Sequence, residues 1–219
     1  MTRWLSALIA LAVLGIATPA RASNGFVLGF EFGGGPWTVN PAQLSSHSQG
    51  QGVSLAEAQG FANPMTAGWV PDLNLHLGWN ILGHVAIEGV FQATGWDLLT
   101  ANRGGGGLAG ARVAWFPFQT FFPKRIFDAS IELGGGYSLL GGPAPGGSPT
   151  FGVAGGYFQF GLTAEIYVVP SVSFEAFYRF YDAFWNKFYT DYNNNKFVPL
   201  TGFSAPWNVI GVGINFHVG

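Results

Sequence analysis

The chain has 219 residues, of which 9% are charged and 16% aromatic, with 34 glycines and a formal net charge of −2. This charged fraction is far below the roughly 25% of ordinary soluble domains. The absence of a basic cluster argues against nucleic acid as a partner. No cysteine is present, so disulfides and a lipoprotein anchor are excluded.

The N-terminal segment, residues 1–22, has the pattern of a secretory signal peptide. Arg3 precedes an apolar stretch, Pro19 follows it, and Ala20 and Ala22 stand three and one residues before a cleavage site at Ala22/Ser23. A short membrane anchor is the alternative, but the apolar run is shorter than the roughly 20 residues that a spanning helix needs. We therefore expect residues 23–219 to form one domain.

Eight segments of the mature chain alternate apolar and less apolar residues with period two, which predicts β-strands. In the seventh, Phe174 and Tyr178 alternate with Glu175 and Arg179. One such strand fits a soluble sandwich or a membrane barrel, but eight, each with its charges on the less apolar face, indicate a closed transmembrane barrel. The predicted strands lie at residues 24–34, 67–81, 84–96, 107–116, 127–140, 150–168, 172–184 and 207–218.

The connections between these segments alternate in length. Long polar segments at residues 36–66, 97–106, 141–149 and 185–205 alternate with short ones at 82–84, 118–126 and 169–171. An up-and-down barrel with an even number of strands then has both termini on the short-turn side, which is the periplasmic side in bacterial barrels.

Three tryptophans are predicted to form the aromatic girdles at the two membrane interfaces: Trp69, Trp79 and Trp115. Trp69 and Trp79 are ten residues apart, about 33 Å along a strand at about 3.3 Å per residue. A tilt of about 45° reduces this to roughly 23 Å in height, which matches the apolar band of such barrels.

Charged side chains on the predicted inner faces form a candidate network in the lumen. Charges in a narrow interior are costly unless they are paired, so Glu–Arg pairs and hydrogen bonds are expected to fill it. A narrow cation-favouring or proton path lined by the surplus acids is the alternative. The network comprises Glu31, Asp72, His76, Glu88, Arg112, Asp128, Glu132, Glu165, Glu175 and Arg179.

The signal peptide, the alternating connections and a last strand ending in NFHVG resemble the small eight-stranded outer-membrane barrels of the outer-membrane protein A and X type. The resemblance covers the mature chain, although the chain ends on Val218-Gly219 where such proteins usually end on an aromatic residue. It implies an outer-membrane location and a monomer whose lumen is plugged by a polar network.

The resemblance also implies the partners. They are outer-membrane lipid and lipopolysaccharide, with the barrel-assembly machinery and periplasmic chaperones during biogenesis. The long connections at 36–66 and 185–205 offer a surface for an external ligand, with aromatics such as Trp185, Phe188, Tyr189 and Tyr192 facing outward. A soluble lipocalin-like barrel with inward aromatics is the competing fold.

Evidence for chemistry is weak, so no catalytic residue, metal or cofactor is assigned. Some eight-stranded outer-membrane barrels modify lipid A, but the only serine–histidine grouping, His47 beside Ser45, Ser46 and Ser48, lies in a polar connection. The segment 191–195, DYNNN, lacks the Gly and distal Glu of a calcium loop. We expect a structural or surface-interaction role, with a narrow pore and a lipid A-modifying enzyme as the alternatives.

Overall fold

The computed structural model describes residues 24–36, 43, 44, 46, 69–95, 105–118, 126–143, 150–191 and 194–218. The predicted signal peptide and most of the first long connection lie outside these residues. Among the described residues no helix is long and apolar enough to cross a membrane. The eight strands are β1 (Gly25–Pro36), β2 (Trp69–Ile81), β3 (Val85–Gly95), β4 (Gly105–Trp115), β5 (Phe127–Pro143), β6 (Thr150–Val169), β7 (Val172–Asp191) and β8 (Lys196–Val218).

These strands form one closed barrel in which each pairs with the next in antiparallel register and β8 returns to β1. The closing pair runs from Phe26 opposite Val218 to Gly34 opposite Ile210. Closure gives every strand a partner on both sides, which a sheet in hydrocarbon requires because no water is there to bond a free edge. The predicted up-and-down barrel of eight strands is confirmed.

The period-two pattern sorts the side chains between the two faces of the wall. Leu73, Phe91, Leu133 and Val212 face outward and are 44–60% exposed. The side chains that alternate with them along the strands, such as Asp72, Val90 and Glu132, point inward and are buried. A barrel with apolar side chains outside and charged side chains inside is the arrangement of a membrane barrel, since lipid contacts the outer face. This excludes the lipocalin-like alternative, which needs an apolar interior along the whole barrel.

The first short connection is a tight turn. The backbone N–H of His84 donates to the carbonyl of Ile81 at 3.0 Å, and the two central residues, Leu82 and Gly83, both have positive φ. This backbone is the one that two-residue hairpins favour, because its twist matches that of the flanking strands. The sequence prediction of a short connection at 82–84 is confirmed.

The predicted long connection at 185–205 is wrong. β7 continues to Asp191 and β8 begins at Lys196, and the two strands pair across this region, with Lys187 opposite Pro199. The register shifts between Trp185 and Lys187. A bulge of this kind changes the phase of the alternation, so the period-two pattern breaks in the sequence although the strand goes on.

The prediction that the aromatic residues of this segment face outward is also wrong for those that the structure describes. Trp185, Phe188 and Tyr189 are at most 9% exposed and pack inside the barrel, because the bulge brings Trp185 and Phe188 to the same face although they are three residues apart. Tyr192 lies outside the described residues. The β7–β8 hairpin is therefore an extension of the barrel wall beyond β1, which pairs with β8 only up to Ile210 among the described residues.

Candidate functional site

All ten residues of the predicted lumen network lie inside the barrel, and none is more than 5% exposed. They do not form one continuous ladder. Six of them make a connected group that we name the central charge cluster: Glu31, His76, Glu88, Arg112, Glu132 and Arg179. The other four, Asp72, Asp128, Glu165 and Glu175, lie outside these ion pairs and have other partners.

Arg179 occupies the middle of the central charge cluster. Its two terminal nitrogens donate to the two carboxylate oxygens of Glu31, with Nη2 to Oε1 at 2.7 Å, and its Nε donates to Oε2 of Glu132 at 2.7 Å. The guanidinium also lies 4.2 Å from the ring centroid of Phe177. The planar guanidinium offers five N–H groups in a fixed fork, so one side chain ties β7 to both β1 and β5.

Arg112 shares its carboxylate partners with Arg179. It donates through Nε to Glu88, through Nη2 to Oε1 of Glu31 at 3.1 Å and through Nη1 to Oε2 of Glu132 at 3.5 Å. Glu31 and Glu132 therefore each bridge the two arginines. Buried ions are tolerated only when paired and hydrogen-bonded in this way.

Inward-facing glycines leave the space that these side chains fill. A Cβ added to Gly161 would lie 2.7 Å from Oε2 of Glu132 and 3.0 Å from Cγ of Arg179. A Cβ on Gly213 would lie 2.5 Å from Oε1 of Glu175 and 2.9 Å from the Cγ of Glu31. An eight-stranded barrel has an interior only wide enough for side chains, so large charged residues require glycine opposite them.

A second polar group, which we name the lower polar layer, lies toward the turn at residues 170–171. It consists of Glu165, Tyr167, Ser173, Glu175, Asn215 and His217. Glu165 accepts hydrogen bonds from Ser173, from Tyr167 Oη at 2.7 Å and from Asn215 Nδ2 at 2.9 Å. Ser173 and Asn215 were not singled out in the sequence, because isolated Ser and Asn residues carry no pattern of their own.

The lower polar layer contains the residue types of a serine hydrolase relay, but not its geometry. The Nε2 of His217 lies 3.0 Å from Ser173 Oγ and 3.2 Å from Glu165 Oε1. A relay needs the acid on the ring nitrogen opposite the serine, whereas here both partners contact the same nitrogen. The three side chains are buried and fill space as a structural network.

Above the central charge cluster the interior is mainly apolar, and we name its apolar side chains the aromatic layer. Tyr181 and Trp207 stack with centroids 4.9 Å apart and planes at 6°, and Trp185 stacks on Phe203 at 5.5 Å. The indole Nε1 of Trp185 donates to Ser138 Oγ at 3.1 Å. The layer comprises Leu44, Leu140, Phe151, Val153, Tyr181, Trp185, Phe188, Phe203 and Trp207.

The sequence did not predict the aromatic layer. An inner face of Phe and Trp has the same period as an outer face, so alternation alone does not distinguish them. Leu44, in the first long connection, is fully buried in the layer. This contact joins residues that are far apart in the chain, so the local alternation of apolar and polar residues does not predict it.

Asp72 and Asp128 make local contacts away from the central charge cluster. Asp72 accepts a hydrogen bond from Gln92 Nε2 on β3. Asp128 accepts from the backbone N–H of Ala129 at 2.8 Å. Both carboxylates are buried, so these bonds replace part of the water that each group loses.

The three predicted girdle residues lie on the outer face. Trp69, Trp79 and Trp115 are 47–58% exposed. Trp69 begins β2 at the long-connection end, whereas Trp79 and Trp115 lie near the short turns. Indole rings with one apolar face and one N–H suit the boundary between lipid and water.

Only part of each of the two weak sequence motifs lies within the described residues. His47, Ser45 and Ser48 lie outside the described residues, and Ser46 Oγ donates to the carbonyl of Gln43 at 2.9 Å. In the segment 191–195, Asp191 accepts from the backbone N–H and the Nδ2 of Asn194, at 3.2 and 2.6 Å. This carboxylate thus shapes the turn between β7 and β8.

The closed eight-stranded barrel is similar in fold to solved structures. The crystal structure of Neisserial surface protein A (NspA) matches with a TM-score of 0.59 and 9% sequence identity, over 90% of this chain and 100% of that chain. The chain has the fold of the small eight-stranded outer-membrane β-barrels. The barrel also matches the N-terminal β-barrel domain of Pseudomonas aeruginosa OprF, with a TM-score of 0.45 and 9% identity over 88% and 98% of the two chains.

A third match is the solid-state NMR structure of the outer membrane protein AlkL, with a TM-score of 0.45 and 10% identity over 92% of the barrel and 93% of that chain. No protein-family model and no curated protein sequence matches the chain. The likeness therefore concerns the fold, and the role of the barrel has to be argued from its own residues.

Proposed function

We propose that the protein resides in the outer membrane as a closed barrel whose role is structural or interactive at the cell surface. The observation that carries this proposal is the filled interior. Arg179, Glu31 and Glu132 join three strands through hydrogen bonds of 2.7 to 3.3 Å, and the aromatic layer covers them from above. Ions cannot pass through packed side chains without the rupture of buried pairs, which is costly.

The outer surface supports the location. Apolar side chains face outward along all eight strands, with Trp69 at one end and Trp79 at the other. Asn24 and Val218, the two ends of the described barrel, lie on the side of the short turns, and in bacterial barrels that side is periplasmic. The β7–β8 hairpin then rises above the membrane on the cell surface.

The β7–β8 hairpin is the surface element that we propose to carry interaction. We expect this hairpin to be more rigid than an ordinary loop. Phe188 and Tyr189 are buried and anchor it from inside the barrel, and its two strands are paired, with Lys187 opposite Pro199. Its turn exposes Asn194 and Lys196. Exposed segments on a rigid scaffold commonly bind partners.

Single-channel recording in a planar bilayer tests the closed interior. The purified, refolded barrel is expected to give no steady current steps, whereas a porin refolded by the same protocol gives them. Stable cation-selective steps that disappear in Glu132→Gln would instead establish the narrow pore. The barrel fold of each sample is checked by the heat-dependent shift of its gel mobility.

Labelling of intact cells tests the surface location of the hairpin. A membrane-impermeant amine reagent is expected to label Lys196, and Lys196→Arg is expected to remove that label because arginine does not react. Lys124→Arg, which falls between β4 and β5 in the sequence, is the matched control and leaves labelling unchanged. Labelling that depends on Lys124 and not on Lys196 would reverse the proposed orientation.

A further inference from the structure

Three buried side chains of different types meet beside Arg179: Glu31, His76 and Glu175. Each offers a ligand atom, and these atoms all lie within 4.8 Å of one another. Imidazole nitrogen with carboxylate oxygens is a donor set that divalent transition metals take. Ligands bound tetrahedrally at about 2.1 Å lie roughly 3.4 Å from one another, so a pair as far apart as 4.8 Å has to close by about 1.4 Å when the ion binds.

The charge in this region is unbalanced. The carboxylates outnumber the guanidinium groups by four to two, and the groups concerned are Glu31, Glu88, Glu132, Glu175, Arg112 and Arg179. When all four carboxyl groups are ionised, two negative charges therefore lack an arginine in a region without bulk water, where uncompensated charge is costly. One divalent cation supplies the missing two positive charges.

Two buried acceptor atoms of this region lack a donor. Within the described part of the chain, Oε1 of Glu175 and Oδ1 of Asn215 have no hydrogen-bond partner, although the residues are only 5% and 4% exposed. The Nδ2 of Asn215 donates to Glu165 at 2.9 Å and to Glu175 at 3.1 Å, so its oxygen is turned the other way. A buried acceptor left unpaired costs free energy.

The space for an ion is also present. His76, Glu175 and Asn215, but not Glu31, line an internal cavity of about 20 Å³, which is enough for one water-sized particle next to the three ligands. A Cβ on Gly29 would collide with both Asn215 Oδ1 and the His76 ring, so these two groups lie side by side in room that a glycine leaves open.

We propose that the barrel binds one divalent transition-metal ion between Glu31, His76 and Glu175, with Asn215 Oδ1 as a further oxygen donor. His76 Nδ1 now lies 2.9 Å from Oε1 of Glu31. The imidazole binds the ion in its neutral form, so any proton that it carries is released. The ion ties β1, β2, β7 and β8 together at the level of the arginines.

Zinc serves as the probe. The full mature barrel is refolded with Zn²⁺ or with a chelator and desalted, and its metal content is measured by mass spectrometry of the elements. We expect one zinc per chain after refolding with Zn²⁺ and a higher Tm than for the chelated sample, because an ion that binds only the folded state stabilises it. Less than about one zinc per ten chains would overturn the proposal, since this level is far below the one-to-one binding of a built site.

Variants locate the ion. Glu175→Gln and His76→Ala are expected to weaken zinc binding at least about tenfold, whereas His84→Ala, at the first short turn, is the matched control and retains it. Zinc that is unaffected by Glu175→Gln and His76→Ala, or lost in His84→Ala, would show binding elsewhere and overturn the proposal.

A measurement on the unmodified barrel guards against variants that fail to fold. Cobalt(II) is substituted for zinc, and a site with one nitrogen and several oxygen ligands is expected to give visible absorption bands that zinc displaces at one equivalent. Absence of these bands in the folded barrel would also contradict the site.

Discussion

Arg179 and Glu31 are 148 residues apart in the chain, yet they form a two-pronged ion pair at the centre of the barrel. Their contact joins the seventh strand to the first across the interior. Arg112 also binds Glu31, and Glu132 also binds Arg179. The pair is therefore the middle of a shared cluster and not an isolated salt bridge. Removal of one member leaves the others with uncompensated charge.

Arg179→Met is therefore expected to destabilise the barrel by about 3–5 kcal/mol, the usual effect of breaking a buried pair from one side. Urea unfolding of the refolded protein, followed by tryptophan fluorescence, measures the loss. The double variant Arg179→Met, Glu31→Gln removes both charges and is expected to lose less than the sum of the two single variants, because the residues are coupled. Strictly additive losses would show that the two residues act independently.

Gly213→Ala is expected to cost about 1–3 kcal/mol, because the new methyl group overpacks the interior. Its Cβ would lie 2.5 Å from Glu175 Oε1 and 2.9 Å from Glu31 Cγ. Gly89→Ala is the matched control, since the nearest atom to its Cβ is 3.8 Å away. The two are compared by urea midpoint, and equal midpoints would mean that the interior has more room than the packing indicates.

Trp185→Ala tests the aromatic layer. The side chain is 1% exposed and stacks on Phe203, so its removal is expected to cost about 3–5 kcal/mol. Phe184→Ala is the control because that ring is the next in the chain, faces outward and is 52% exposed. The thermal shift of gel mobility ranks them, and a larger loss in Phe184→Ala would reverse the assignment of faces.

Leu73→Arg tests the lipid-facing belt. Leu73 lies between Trp69 and Trp79 on the outer face and is 44% exposed, so arginine there is expected to cost about 2–4 kcal/mol, as at the middle of a bilayer. Asn194→Arg, in the exposed turn of the β7–β8 hairpin, is expected to change stability little. Unfolding of both variants in lipid vesicles gives the comparison. A small effect at Leu73 would argue that this part of the wall does not face lipid.

Much of the architecture was predictable from the chain alone. Period-two alternation, few charges and connections of alternating length predict eight strands, and the pattern also places Glu31 and Arg179 on inner faces. These properties are local, because a strand directs neighbouring residues to opposite faces whatever the remainder of the chain does. The strand boundaries and the β7–β8 hairpin were less accessible, since the bulge after Trp185 changes the phase of the pattern.

The partners of the inner residues were decided by the tertiary structure. Alternation tells that Glu31 points inward, but only the closure of β8 onto β1 brings it within reach of Arg179, and only the glycine at position 213 places Glu175 beside it. The sequence by itself determined the strands, the two faces of the wall and the excess of buried acids. The register and shear of the closed sheet decide which acids pair with arginine and which face His76 and Asn215. They also decide how the aromatic layer covers these residues. Register and shear are properties of the whole sheet, so no local sequence pattern predicts them.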